Sequence, residues 1–332
     1  MRKINIPVFV SHQGCPNDCI FCNQKKITGV YKKEKSVEIY EKIKTFLHTA
    51  PEECEIEISF FGGSFTGIDF EEQNMYLDTA NKFLYDKRIK GIRLSTRPDY
   101  IDDKILSNLK EKNVTTIELG VQSMNDNVLL MNKRGLKSED TVNAVKKIKE
   151  YGFSLGLQMM VGMYGSTEED DILTAKKLIE LKPQFVRIYP TVVIKETELY
   201  KLYKSGQYLP YSLDKAVDVC SKLLNMFEDN GIKVIRLGLM AGEEINENNV
   251  YGPYHSSFRE LTESKIYYDK IKEQIKALGY KDVVISCKNK LTSKIIGNRR
   301  RNIVKLKNEL ELNSIVVVNE DVDEFVIREG KV

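Results

Sequence analysis

The sequence predicts an α/β chain built as a partial (β/α)6 TIM-like barrel with a small C-terminal α+β appendage. Apolar strand-like runs alternate with charged stretches of helical period, the pattern of a parallel sheet covered by helices. The unusual residues fall just after the strands, where α/β barrels keep their sites. The alternation fades after about Gly242, which divides the chain into an expected barrel core, residues 1–242, and an expected appendage, residues 243–332.

Strand one is the apolar run Ile4–Val10. Met1-Arg2-Lys3 ahead of it resembles a secretion signal, but the run is short, holds Asn5 and Pro7, and leads into a cysteine cluster, so a strand is expected. Strand two, Glu55–Phe61, is followed by Gly62-Gly63-Ser64, and strand three, Gly91–Ser95, by Thr96-Arg97-Pro98. Strand four, Val114–Val121, leads into Gln122-Ser123, and strand five, Ser154–Val161, into Gly162 and Gly165. Strand six, Phe185–Tyr189, ends at Tyr189-Pro190, and strand seven is Lys233–Leu237. Helical period marks Val37–Thr49, Glu71–Asp86, Asp102–Lys112, Asn125–Met131, Ser138–Tyr151, Thr167–Leu181 and Leu213–Asn230. Ser138 and Thr167, with acidic residues in the first turn, read as helix starts. Six or seven such units, each with its unusual residues after the strand, favour a partial barrel over a doubly wound sheet.

At 332 residues the chain can bury one large core and carry an appendage. Fifty-one Lys+Arg against 48 Asp+Glu leave the overall charge silent about partners. No apolar run is long enough to span a bilayer. The expected location is the cytoplasm, where thiols stay reduced.

Cys15, Cys19 and Cys22 follow strand one in the run Gly14-Cys15-Pro16-Asn17-Asp18-Cys19-Ile20-Phe21-Cys22, a C-x3-C-x2-C spacing. Thiolates are the usual protein ligands of iron–sulfur clusters. Three of them on a four-iron cube leave one iron open to a small molecule, whereas an electron-transfer cluster normally takes four. A cluster with one open iron, ahead of a long α/β chain, is how a radical S-adenosylmethionine (SAM) enzyme looks. There SAM chelates the open iron through its amino and carboxylate groups, and one electron cleaves it to a 5′-deoxyadenosyl radical. Zinc would want a fourth ligand, with His12 the only histidine nearby, and a disulfide would strand one thiol. Cys54, Cys220 and Cys287 are scattered and read as small apolar fillers, with a reservation for Cys287 in its basic surroundings.

Gly62-Gly63 lets the backbone approach a ligand or forms a plain tight turn. Strand alternation puts Glu118, Gly120 and Gln122 on one face, where two polar residues mean either a ligand-lined interior or a pair satisfied by neighbours. Arg134 either meets the SAM carboxylate or is a solvated helix-end arginine. His12 is read as shaping the cysteine loop. Glu118, Tyr189 and His255 are the candidate catalytic groups, although packing is the plainer reading for Tyr254-His255.

As a set, these segments resemble the radical-SAM half of the Elongator catalytic subunit and its bacterial and archaeal relatives, from about Ile6 to Met240. The resemblance rests on His12-Gln13-Gly14-Cys15-Pro16-Asn17, Phe21-Cys22-Asn23-Gln24 and Phe61-Gly62-Gly63-Ser64-Phe65-Thr66-Gly67. It continues through Ser95-Thr96-Arg97-Pro98-Asp99-Tyr100, Glu118-Leu119-Gly120-Val121-Gln122-Ser123, Arg134-Gly135 and Val186-Arg187-Ile188-Tyr189-Pro190-Thr191. A looser similarity extends to oxygen-independent coproporphyrinogen III oxidases. The resemblance implies a radical SAM barrel, a [4Fe-4S] cluster on Cys15, Cys19 and Cys22, and a one-electron donor such as flavodoxin or ferredoxin. It places SAM against Phe21, Gly62, Gly63, Ser64, Ser95, Gln122, Arg134 and Gln158. The family's acetyltransferase domain has no counterpart up to Val332, so acetyl-CoA chemistry is not expected to carry over.

The appendage adds a charge signal. Lys281–Glu309 holds nine Lys/Arg against two Asp/Glu, including Arg299-Arg300-Arg301. That run is either solvated surface or a contact for RNA phosphates. The leading expectation is a radical SAM enzyme acting on RNA. The rivals are the same chemistry on a small molecule, as in the porphyrinogen oxidases, and an iron–sulfur RNA-binding protein without catalysis.

Overall fold

A computed structural model describes residues 2–10, 13–15, 19–29, 32, 34–240 and 245–330, with only the backbone of Arg2, Gln24 and Lys25. In chain order the elements begin β1 (Arg2–Phe9), α1 (Gln24–Thr28), α2 (Ser36–Thr49), β2 (Cys54–Phe61) and α3 (Phe70–Asn81). They continue with β3 (Ile89–Thr96), α4 (Asp103–Glu111), β4 (Val114–Gln122), α5 (Asp126–Met131), α6 (Ser138–Glu150), β5 (Ser154–Val161) and α7 (Glu168–Glu180). Next come β6 (Phe185–Pro190), β7 (Val193–Ile194), α8 (Glu198–Lys204), α9 (Leu213–Asp229), β8 (Lys233–Leu237) and β9 (Val250–Tyr251). The chain ends with α10 (Phe258–Leu278), β10 (Asp282–Cys287), α11 (Asn289–Ile296), α12 (Arg301–Glu309), β11 (Ser314–Asn319) and β12 (Phe325–Glu329). Among the described residues no helix is long and apolar enough to cross a membrane.

Seven strands form one parallel sheet in the order β1-β2-β3-β4-β5-β6-β8. A flat sheet would hold β2 and β6 about 19 Å apart. Instead, the Arg187 guanidinium of β6 lies 5.3 Å from the centre of the Phe61 ring of β2. The sheet is therefore curled into an open, TIM-like half-barrel, and its seventh strand is the one expected at Lys233–Leu237.

The convex face supplies the core. Ile56, Ile58 and Phe60 of β2, Ile92 and Leu94 of β3, Ile117, Leu119 and Val121 of β4, and Leu155, Leu157 and Met159 of β5 are buried under the helices. Each such side chain contributes roughly 1.5–3 kcal/mol on burial. The concave face carries the alternate residues, and these break the apolar run that a doubly covered parallel strand would show.

Helix starts follow local chemistry. Asp69 accepts from the Glu71 and Glu72 amides and Asp102 from the Ile105 amide. Thr167 and Asp170 cap α7 reciprocally, the Asp170 amide donating to Thr167 Oγ1 and the Thr167 amide to Asp170 Oδ2. Ser138 is not a cap. It is the first residue of α6, its amide donates to Asp126 Oδ1, and the Lys137 amide before it donates to Asp140.

The chain forms two compact units: residues 1–212 with 223–256, and residues 213–222 with 257–332. The second has a three-stranded sheet, β11-β10-β12, parallel on one side and antiparallel on the other. Its core includes Ile271, Ile275, Ile285, Ile295 and Leu306. Cys287 is buried within that core, Cys220 is buried elsewhere in the same unit and Cys54 in the first unit, the burial expected of small fillers.

Candidate active site

The cysteine loop sits at the C-terminal end of β1, and backbone contacts fix it. The Cys22 amide donates to the Cys19 carbonyl at 2.9 Å, the Ile20 amide to the Asn132 carbonyl, and the Leu199 amide to the Ile20 carbonyl at 2.8 Å. The Ser64 amide donates to the Gln13 carbonyl at 3.0 Å, which ties the β2 loop to the same place. A side chain on Gly63 would collide with the Val10 and Gln13 carbonyls, and one on Gly14 with Ser64 and Gly67 backbone. Gly63 thus makes room for the cysteine loop. Gly62 takes a φ of 91° at the strand end.

Two arginines surround the sulfurs. Arg134 Nη1 lies 3.3 Å from Cys19 Sγ, and its Nη2 donates to the Gly120 carbonyl. Arg97 donates to the Arg134 carbonyl at 2.6 Å and pairs with Asp99. Burial, and then the neighbouring Cys19, push the Cys15 thiol up, while Arg97 and Arg134 pull it down. Arg97 and Asn132 hold this arrangement and were not among the expected site residues. The position of Thr96-Arg97-Pro98 after β3 was the available signal.

Gln122 ends β4 with a φ of 69°, beyond an irregularity in pairing with β5. A side chain on Gly120 would lie 3.1 Å from Gln122 Nε2 and 3.9 Å from Arg134 Nη2. Gln122 Oε1 is buried without a hydrogen-bond partner. Gly120, Gln122 and Arg134 therefore meet at the end of β4, beside the cysteine loop. Phe21 packs instead with Ile20, Val193, Leu199 and Tyr208. The Ser64 hydroxyl is buried, 2.9 Å from Thr96 Oγ1, and accepts from the Arg97 amide, so it faces inward.

Glu118 is fully buried, and its two oxygens accept from Arg93, Arg187 and Gln158. Burial alone would push its carboxyl up, but Arg187 and then Arg93 hold it below the usual range. Four donors occupy the lone pairs of an ionised carboxylate, so Glu118 is a charge anchor for two arginines. Gln158 also donates to Ser95 Oγ at 3.3 Å, one layer deeper than Gln122. Tyr189 lies among Arg187, Glu118 and Arg236. Tyr254 packs against Val192, Ile194 and Val250, and His255 follows it, half-buried, on the loop after β9. His12 lies outside the described residues.

In the second unit, Lys288 pairs with Asp321, Lys294 with Glu263 and Arg301 with Asp214, while Lys281 donates to the Leu310 carbonyl. Lys290, Arg299, Arg300, Lys305 and Lys307 are exposed and carry no ion pair among the described residues.

Residues 9–178 match the Radical SAM superfamily and residues 183–268 the Radical SAM C-terminal domain. The tRNA uridine(34) acetyltransferase of Methanocaldococcus jannaschii is 33% identical over 186 residues, 50% of this chain and 34% of that protein. Elongator complex protein 3 of Saccharomyces cerevisiae is 31% identical over 164 residues, 48% of this chain and 28% of that protein. The chain thus spans about a third of the length of these relatives. The archaeal Methanocaldococcus infernus Elp3 shares the fold with a TM-score of 0.62 at 23% identity, over 82% of this chain and 63% of that one. From the cysteine loop, the half-barrel and the matched span together, the chain belongs to the radical SAM superfamily, enzymes that use a [4Fe-4S] cluster and S-adenosylmethionine.

Proposed function

We propose that this chain reductively cleaves SAM at a [4Fe-4S] cluster held by Cys15, Cys19 and Cys22, and abstracts hydrogen from an RNA, either tRNA or rRNA. The observation that carries the reading is the cysteine loop pinned against Arg97, Arg134 and the end of β4. The residues fit the cofactor pair. Three cysteines outside any disulfide share one loop, and two guanidiniums lie beside Cys15 and Cys19, which suits a negatively charged thiolate cluster. Among the described residues no three His, Cys, Asp or Glu side chains converge on a single-ion site. A cube takes each cysteine on a separate iron. The orphaned Gln122 Oε1 beside the Gly120 clearing offers SAM an acceptor.

When bound, the cluster supplies the electron that splits SAM to a 5′-deoxyadenosyl radical. The protein's part is to hold and shield. Gly62, Gly63, Gln122 and Arg134 line the SAM side, and Ser95 and Gln158 the layer beneath, with Phe21 packed behind the loop. Glu118 fixes Arg93 and Arg187 without exchanging a proton. Lys290, Arg299, Arg300, Lys305 and Lys307 supply phosphate contacts. The names of the tRNA-modifying relatives support RNA as substrate, and their acetyl transfer is not carried over.

The test is anaerobic. The chain is loaded with iron and sulfide, reduced with dithionite, and 5′-deoxyadenosine is measured by chromatography with and without bulk tRNA or rRNA. Product that needs all three cysteines and rises with RNA is expected. Cys19→Ala retaining product would overturn the cluster assignment, and indifference to RNA would overturn the substrate.

A further inference from the structure

The concave face of the sheet holds a charge that no described residue answers. Arg93 is paired with both Glu57 and Glu118, and Arg187 is paired with both oxygens of Glu118 while lying over Phe61. Arg236 stands beside Arg187 in the strand register, half-buried on β8. Its Nε donates to the Gly238 carbonyl at 3.0 Å, two residues on, so the side chain runs toward the C-terminal end of β8. In a parallel sheet that is the end at which the cysteine loop leaves β1. Its electrostatic neighbours are the Tyr189 hydroxyl and Arg187, a charge of its own sign, and no carboxylate among the described residues pairs with it. Burial and Arg187 both disfavour its charge.

A guanidinium does not escape that cost by losing its proton. Buried charge is retained where something pairs with it, and the planar fork of arginine matches a carboxylate or phosphate with two parallel hydrogen bonds. Glu118 is already saturated and cannot turn to Arg236. We propose that Arg236, with the Tyr189 hydroxyl beside it and Arg187 as a fixed neighbouring charge, anchors a phosphate of the nucleotide that enters the barrel. This rests on the RNA reading above, because phosphate is the anion every nucleotide carries. The other oxyanion in that reading is the carboxylate of SAM.

The test separates these sources. Uridine 5′-monophosphate, uridine and SAM are each titrated calorimetrically into the anaerobic, cluster-loaded chain and into its Arg236→Gln and Arg236→Lys variants. The wild type is expected to bind the monophosphate about tenfold more tightly than uridine. Arg236→Gln should erase that preference while keeping uridine and SAM affinity, and Arg236→Lys should restore part of it. Unchanged thermal melting shows that the variants fold. Equal affinity for monophosphate and nucleoside in the wild type, or a preference that survives Arg236→Gln, overturns the assignment. So does an Arg236→Gln variant that loses SAM affinity alone, which would give the guanidinium to the SAM carboxylate. A loaded wild type that binds no SAM would instead overturn the radical SAM reading of the site, with the phosphate preference still measured in the same titrations.

Discussion

Glu118 and Asp171 are both buried, at 0% and 3% exposure, and both accept several hydrogen bonds, yet burial ends differently for them. Glu118 lies on the concave face of β4 between Arg93 and Arg187, which hold its carboxyl below the usual range. Asp171 lies in the first turn of α7 and accepts from the Ser166 hydroxyl, the Gly162 amide and the Tyr211 hydroxyl, all neutral. Burial pushes it up to about 7 against those donors. Neutral hydrogen bonds do not offset the desolvation of a buried carboxylate here, and guanidinium charge does. The concave face therefore carries fixed charge, while the first turn of α7 carries a carboxyl that changes state near neutrality.

The largest test of this contrast is Glu118→Gln. It would leave Arg93 with Glu57 alone and Arg187 without a carboxylate, at an expected cost of about 3–5 kcal/mol in urea unfolding. A loss below about 1 kcal/mol would show that the arginines do not depend on that charge. Asp171→Asn is the smaller test, and its sign is opposite. With the folded carboxyl titrating near 7, folded Asp171 keeps its proton over a range where the unfolded chain has already lost it. Its contribution to stability is thus full below about pH 4 and is lost as pH rises to about 7. The wild type should lose about 2 kcal/mol more than Asp171→Asn between pH 5 and pH 8. Parallel pH profiles would break the comparison. Glu118 works the other way: its stabilisation is present above the ordinary carboxylate range and is lost only in acid.

The seven strands and the position of the site were legible because both rest on local pattern, apolar period and the residues that follow each strand. Three parts were not. Arg187 was legible only as part of a family-like run, although alternation places Phe185, Arg187 and Tyr189 on one face; its partners come from β2 and β4, far away in sequence. The need for glycine at Gly63 was not legible either: the clash its missing side chain avoids is with the Val10 and Gln13 carbonyls, a tertiary approach no spacing reveals. Asp171 looked like ordinary acidic decoration of a helix start, and its burial under Tyr211 is invisible along the chain. The basic run was legible as a count only. The structure divides it into cations already paired and five that carry no ion pair among the described residues.

The central claim is that the three cysteines hold a cluster with one iron left for SAM. Electron paramagnetic resonance of the reduced, reconstituted chain tests it most directly. The claim requires a [4Fe-4S] signal that changes when SAM is added and that disappears in Cys15→Ala, Cys19→Ala and Cys22→Ala. A signal that ignores SAM, or that persists without Cys19, would contradict it.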